Sequence, residues 1–96
     1  MSYLKYVQPY GTNQRSYEAV FMSPPASFIK NARANRDIAK PTLQALAQID
    51  GLTVGALFVR QIRDNFFELV IRFYTVRPLK QSLSSIELVL KQTIYR

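Results

Sequence analysis

A run of cations, amides and small side chains occupies residues 30–36, and these residue types suit contacts with phosphate and sugar groups. With the lysine that follows it, the run supplies four candidate phosphate contacts: Lys30, Arg33, Arg36 and Lys40. Arginine presents planar, bidentate donors and also stacks on bases. No acid occurs between Glu18 and Asp37, so the run lacks the i,i+4 ion pairs of a self-neutralised helix face. Two interpretations stay open: an RNA contact, or an ordinary solvated helix face.

Several other kinds of site are excluded by residue type. The chain has no Cys and no His, which excludes disulfides, thiol catalysis, Cys/His zinc sites and imidazole acid–base chemistry. It also has no glycine loop for phosphates, no cluster of metal ligands and no carboxylate pair with catalytic spacing. We therefore expect no enzyme, no cofactor, no metal and no small-molecule substrate.

The overall charge predicts a polyanionic partner. Lysine and arginine number 13 against 6 acids, which gives a net charge of +7 and a pI near 10.1. Such a charge favours nucleic acid first and an anionic membrane second, although a basic surface can also serve solubility alone. No apolar run approaches the ~18 residues of a membrane span, so we expect no membrane partner. A length of 96 residues predicts one domain.

The elements that must position these side chains follow from hydrophobic spacing and from the prolines. The predicted order is an arm over 1–15, a strand over 17–22, a helix near 27–38, a second helix from Pro41, a hairpin over 52–76, a helix from Leu79 and a final strand fragment over 93–96. Proline breaks the helical region because it lacks the N–H and restricts the residue before it. This order predicts an α+β ferredoxin-like split βαβ sandwich over residues 16–96, with two helices on one face of an antiparallel sheet.

The hairpin is predicted to reverse at Asp64-Asn65, since both residues tolerate the left-handed conformation. Simple alternation from that turn assigns Phe58, Ile71 and Phe73 to the core face, with Arg60 as an exception whose head group reaches solvent. The other face mixes aliphatic, aromatic and basic residues, which is unlike an ordinary wet face.

That mixed face supplies the candidate residues for a protein partner: Leu57, Val59, Val70, Tyr74 and Val76. Two arginines of the hairpin, Arg63 and Arg72, are further candidates for RNA contact. Three occupants of the face stay open: a partner protein, the chain's own arm, or RNA. The arm itself, with Tyr3, Tyr6 and Tyr10 beside basic residues, suits either base stacking or packing on its own domain.

Several stretches of the chain resemble a known family. Residues 17–24, Tyr-Glu-Ala-Val-Phe-Met-Ser-Pro, look like the opening strand of the bacterial-type small-subunit ribosomal protein S-six family. Residues 66–74 with Pro78 and Ser85-Ile86-Glu87-Leu88 are similar to that family's third strand and second helix, and Ile94-Tyr95-Arg96 to the start of its last strand. The chain departs from the family in lacking the Trp-Gly-Arg-Arg-type segment at the hairpin, and in its truncated last strand.

The resemblance implies a structural protein that binds small-subunit ribosomal RNA beside a ribosomal protein of the S-eighteen type. A shortened version would suit a mitochondrial ribosome, and a bacterial cytoplasmic ribosome is the other location. The truncated last strand leaves the arm free to supply a strand in its place. Together with the charge, this predicts a non-catalytic RNA-binding ribosomal protein. The alternative is a protein–protein interaction subunit of a large assembly with no nucleic-acid role.

Overall fold

A computed structural model describes residues 3–34 and 39–95, the side chains of 31–34 excepted. Its elements are β1 (Leu4–Pro9), β2 (Ser16–Phe21), α1 (Ala26–Ala34), α2 (Lys40–Ala47), β3 (Leu52–Arg63), β4 (Phe66–Thr75) and α3 (Leu79–Thr93). The strands form one antiparallel sheet in the order β1-β2-β4-β3. The predicted α+β class and antiparallel sheet are therefore confirmed.

The N-terminal segment contributes an edge strand to the sheet. Residues 4–9, within the arm predicted over 1–15, pair antiparallel with β2. Just before the strand, the Tyr3 ring stacks on Tyr95 with centroids 4.3 Å apart, and the Tyr3 carbonyl accepts a 2.8 Å hydrogen bond from the Met22 amide. These contacts join the start of the chain to the end of β2 and to the residues after α3.

The hairpin turn lies where the sequence predicts it, but the pairing register of its two strands differs from the predicted one. Asp64 and Asn65 form the turn, and Asn65 adopts a φ of 61°, the left-handed conformation that asparagine tolerates. Register shifts interrupt the β3–β4 pairing around Gly55 and again around Ile62. Each bulge inserts one extra residue, so the side chains between the two bulges exchange faces relative to simple alternation.

The exchange reassigns the centre of β3. Leu57 pairs with Ile71, and both belong to or pack against the hydrophobic core. Phe58 instead pairs with Val70, on the opposite side of the sheet. The predicted core position of Phe58 was therefore wrong, as was the predicted exposure of Leu57.

Buried residues from the sheet face that we name the core face belong to one hydrophobic cluster with residues of α2 and α3. Buried cluster members from the strands are Ala19, Phe21, Leu52, Leu69, Ile71 and Phe73, and those from α2, α3 and the residues after α3 are Leu46, Ile86, Val89, Leu90, Ile94 and Tyr95. The last two residues follow α3 directly and form no strand, so the predicted final fragment was wrong. Their side chains are apolar enough to fill the core where a fourth strand was expected.

Candidate nucleic-acid interface

The end of the sheet that carries the β3–β4 turn, here called the tip end, brings α1 next to the hairpin. A cleft of about 700 Å³ there is lined by Ser23, Pro24, Ala26, Ile29, Lys30, Asn65 and Phe67. Lys30 and Asn65 thus border one depression, although 35 positions separate them in the sequence. Arg63, two residues before Asn65, lies at the same end because it closes β3.

The start of α2 also lies at the tip end. The Thr42 hydroxyl donates a 2.9 Å hydrogen bond to the Thr93 hydroxyl, which puts the first turn of α2 beside the last turn of α3. The Tyr95 hydroxyl in turn donates to the Met22 carbonyl, which puts the end of α3 beside the end of β2. Burial, with a smaller contribution from Tyr3, raises the pKa of Tyr95, so this donor keeps its proton. Lys40 therefore shares the tip end.

An exposed aromatic ring accompanies these cations. The Arg63 guanidinium lies 4.7 Å from the centroid of the Phe66 ring, a cation–π distance. Phe66 is 55% exposed and neighbouring Ile62 is 53% exposed, so water covers a large apolar area beside the charge. Such a pair can stack on a base or pack against a sugar while the lysines meet phosphates.

Two of the predicted RNA contacts cannot be placed at this site. Arg36 lies outside the described residues, and the side chain of Arg33 does so as well, although its backbone belongs to α1. Their assignment as phosphate contacts stays a prediction.

On the sheet face opposite the core face, here called the charged face, buried carboxylates are paired with basic side chains. Glu18, buried in the middle of β2, accepts a 2.8 Å hydrogen bond from Arg72 Nε and a 3.1 Å bond from Gln8. The bond from Arg72 lowers the pKa of Glu18 and outweighs the opposing effect of burial, with Gln8 adding to it. The carboxylate therefore stays ionised at neutral pH.

A second carboxylate on this face is held in the same way. Glu68 is buried in β4 and forms ion pairs with Lys5 and Arg60. Burial alone raises the pKa of Glu68, but the hydrogen bonds from Lys5 and Arg60 reverse this and lower it. Arg60 also donates a 2.9 Å bond to the Tyr6 hydroxyl. Arg60 is thus a member of the charged face rather than an exception on the core face.

The charge of Arg72 is already matched by a buried carboxylate. Its guanidinium lies 4.3 Å from the centroid of the Tyr10 ring and 5.0 Å from that of Phe58, while its Nε donates to Glu18. This neutral pair has little attraction left for a phosphate. Arg72 also lies on the charged face, away from Lys30, Lys40 and Arg63 at the tip end.

The five predicted partner-binding residues do not share one exposed surface. Leu57 and Val59 pack against the core cluster, because the bulge at Gly55 turns them to the core face. Val70 does lie on the charged face, but long side chains cover it completely and its exposure is 0%. Tyr74 is half-buried and Val76 exposed. The prediction that Leu57 and Val59 share a sheet face with Val70 and Tyr74 was therefore wrong, and the assignment of these residues to partner binding stays a prediction.

Comparisons with protein-family models, with curated proteins and with solved structures found no match for this chain. Within the described residues, no group of three or more carboxylate, thiol or imidazole side chains is arranged to hold a metal ion. No helix in the described part of the chain is long and apolar enough to cross a membrane.

Sequence reasoning missed two features of the site. It assigned no role to Phe66 and Ile62, although two aromatic residues directly after a turn are unusual for a solvated loop. It also missed the Glu18–Arg72 and Glu68–Arg60 pairs. The available signal was the presence of one carboxylate in each of two otherwise apolar strands, since a buried carboxylate needs a partner.

Proposed function

We propose that this chain is a non-catalytic structural protein that binds structured RNA through its tip end, as a component of a small ribosomal subunit. The observation that carries the proposal is the meeting of Lys30, Lys40 and Arg63 with the exposed Phe66 at one end of the molecule. Cations beside an exposed aromatic ring suit an RNA that offers both phosphates and unstacked bases.

The distribution of acids supports the same proposal. Glu18 and Glu68 are matched by arginine and lysine on the charged face, and Asp50 pairs with Arg77. Within the described residues, no carboxylate forms an ion pair with Lys30 or Arg63. The ion pairs of the charged face join three cations to two carboxylates, a net charge of +1, so most of the net charge of +7 lies elsewhere, where a polyanion can reach it.

The fold proposed for this function is a ferredoxin-like sandwich with its helices on the core face. In this arrangement β1 takes the edge position beside β2. The strand order β1-β2-β4-β3 supports it, as does the shared cluster of helix and core-face residues. On the resemblance to the S-six family, the RNA is ribosomal and the neighbouring protein is of the S-eighteen type, in a mitochondrial or a bacterial ribosome.

The experiment compares the salt dependence of RNA binding among matched variants. Each phosphate contact adds about 0.7–0.9 to the slope of log K against log salt concentration. Replacing both Lys30 and Arg63 by Ala should therefore weaken binding to a small-subunit RNA fragment and reduce the slope by about 1.4–1.8. Lys80→Ala removes an exposed cation at the start of α3 and serves as the control, with an unchanged slope expected. An equal slope in the double variant and the wild type would overturn the tip end as the RNA site.

The alternative function, a protein-interaction subunit, makes the opposite prediction. Its remaining accessible candidates are Tyr74 and Val76. Val76→Glu should then abolish assembly while RNA binding stays as in the wild type. If Val76→Glu has no effect on assembly but the Lys30 and Arg63 substitutions do, RNA binding is the function that builds the complex.

A further inference from the structure

A groove on the charged face has the residue types of a base-binding pocket. It encloses about 400 Å³ near the start of β2, and its walls include Tyr10, Ser16, Thr53, Gly55, Arg72 and Tyr74. We name it the tyrosine groove. Tyr74 lies eight steps along β4 from Phe66, so the groove lies about 27 Å from the tip end at ~3.4 Å per residue. It is therefore separate from the surface proposed for phosphate contacts.

Gly55, at the bulge of β3, lines the groove together with Arg72 and Tyr74. A Cβ at Gly55 would meet only the Arg72 carbonyl oxygen, at 3.6 Å, which is an ordinary contact distance. Packing therefore does not require a glycine here, and a larger side chain at this position would occupy part of the groove.

Arg72 gives the groove a set of hydrogen-bond donors without a net charge. Glu18 accepts the Nε proton of Arg72, and in the described part of the chain no hydrogen bond engages the two terminal nitrogens. The Tyr10 ring at 4.3 Å holds the guanidinium plane in place. A neutralised, oriented guanidinium suits a neutral acceptor edge better than a phosphate, and guanine presents such an edge in O6 and N7.

We propose that the tyrosine groove binds one unpaired nucleobase of the RNA, with guanine preferred. The base stacks against Tyr74 and accepts hydrogen bonds from the terminal nitrogens of Arg72, while the Tyr10 ring holds the guanidinium. The inference rests on the proposed RNA-binding function and adds what that RNA must contain: an unstacked purine about 27 Å from the phosphates held at the tip end.

The test uses two RNA hairpins of equal length and charge, one fully paired and one with a single bulged guanosine. The wild-type protein should bind the bulged hairpin about ten-fold more tightly, a difference typical of one stacked base. Gly55→Val fills the groove and removes no side chain, so it should bring the bulged hairpin down to the affinity of the paired one. Tyr74→Leu should do the same by removing the stacking ring. Circular dichroism of both variants confirms that they fold.

The outcomes separate the two proposals. Lys30→Ala should weaken both hairpins equally, because it acts on phosphates at the tip end. If the wild type binds both hairpins equally, or if Gly55→Val and Tyr74→Leu both keep the ten-fold preference, the groove is not a base site, while the RNA-binding function stands. If the wild type binds neither hairpin, the proposed function falls and the groove assignment falls with it.

Discussion

The carboxylate of Glu68 offers the sharpest test of the charged face as a self-neutralised part of the structure. It accepts hydrogen bonds from both Lys5 and Arg60, and a bond to a charged group contributes ~1.5–3 kcal/mol when water is excluded. The two cations keep 44% and 37% of their side-chain surface exposed, so solvent screening weakens both bonds. Glu68→Gln keeps the shape but turns an amide donor toward one of the two cations. We expect a loss of about 2–3 kcal/mol in the free energy of unfolding.

The matched control is Asp50→Asn, because Asp50 pairs with Arg77 where its own side chain is 81% exposed. A surface pair of this kind contributes at most ~1 kcal/mol. Urea denaturation followed by circular dichroism gives both free energies. A domain of this size loses ~4–8 °C in Tm per kcal/mol, so Glu68→Gln should lower Tm by about 10–20 °C. If Glu68→Gln costs no more than Asp50→Asn, the charged face does not stabilise the fold and the reasoning about its ion pairs is refuted.

Two further predictions concern pH and register. The pKa values of Glu18 and Glu68 are lowered in the folded protein, so their contribution to stability is complete above the unfolded value near 4.5 and is lost as the pH falls below it. The urea concentration at the unfolding midpoint should therefore decrease below pH 4.5. A midpoint that does not change with pH in this range would contradict the assignment. Leu57→Ala should lower the free energy of unfolding by about 1–2.5 kcal/mol, which is half the usual range because Leu57 is half-buried on the core face. Val76→Ala should lower it by less than ~0.5 kcal/mol, because Val76 is exposed. Similar losses for the two variants would contradict the observed register.

The parts of the fold that follow from short-range chemistry could be predicted from the sequence. The hairpin turn at Asp64-Asn65 follows from the tolerance of asparagine for positive φ. The start of α2 follows from Pro41, which occupies the first turn of this helix. The amphipathic spacing after Pro78 likewise predicts α3. In each case one or two residues determine the local geometry.

The faces of the sheet could not be predicted by alternation alone, because the side chains between the two bulges exchange faces. Glycine inside a strand is a known signal for a bulge, and Gly55 is such a glycine in this sequence. The apparent exception of Arg60 on a core face was a second signal. Shifting the register by one residue between Ile62 and Gly55 puts Arg60 opposite Glu68 and removes the exception. An unexplained charge on a predicted core face is therefore better evidence for a bulge than for an isolated buried arginine.

The candidate site was partly predictable for a related reason. Composition and the acid-free tract indicated which cations lack local partners, and Lys30 belongs to that tract. Lys30 lies near the hairpin turn because of the path that the chain takes after β2, and no local sequence pattern specifies that path. The pairing of Arg72 with Glu18 is a contact between neighbouring strands, so it required the β2–β4 register. Contacts between residues far apart in the sequence thus decide which cations are neutralised by a carboxylate, and the sequence alone does not give these contacts.

The central claim, that this chain binds ribosomal RNA through basic residues at its tip end, is tested most directly by co-sedimentation with purified small ribosomal subunits. The wild-type protein should sediment with the subunits at low salt and leave them at high salt, since phosphate contacts are weakened by competing ions. The variant with Lys30 and Arg63 replaced by Ala should leave at a lower salt concentration than the wild type. A protein that stays at the top of the gradient at low salt, or that sediments only as an oligomer of itself, would contradict the account.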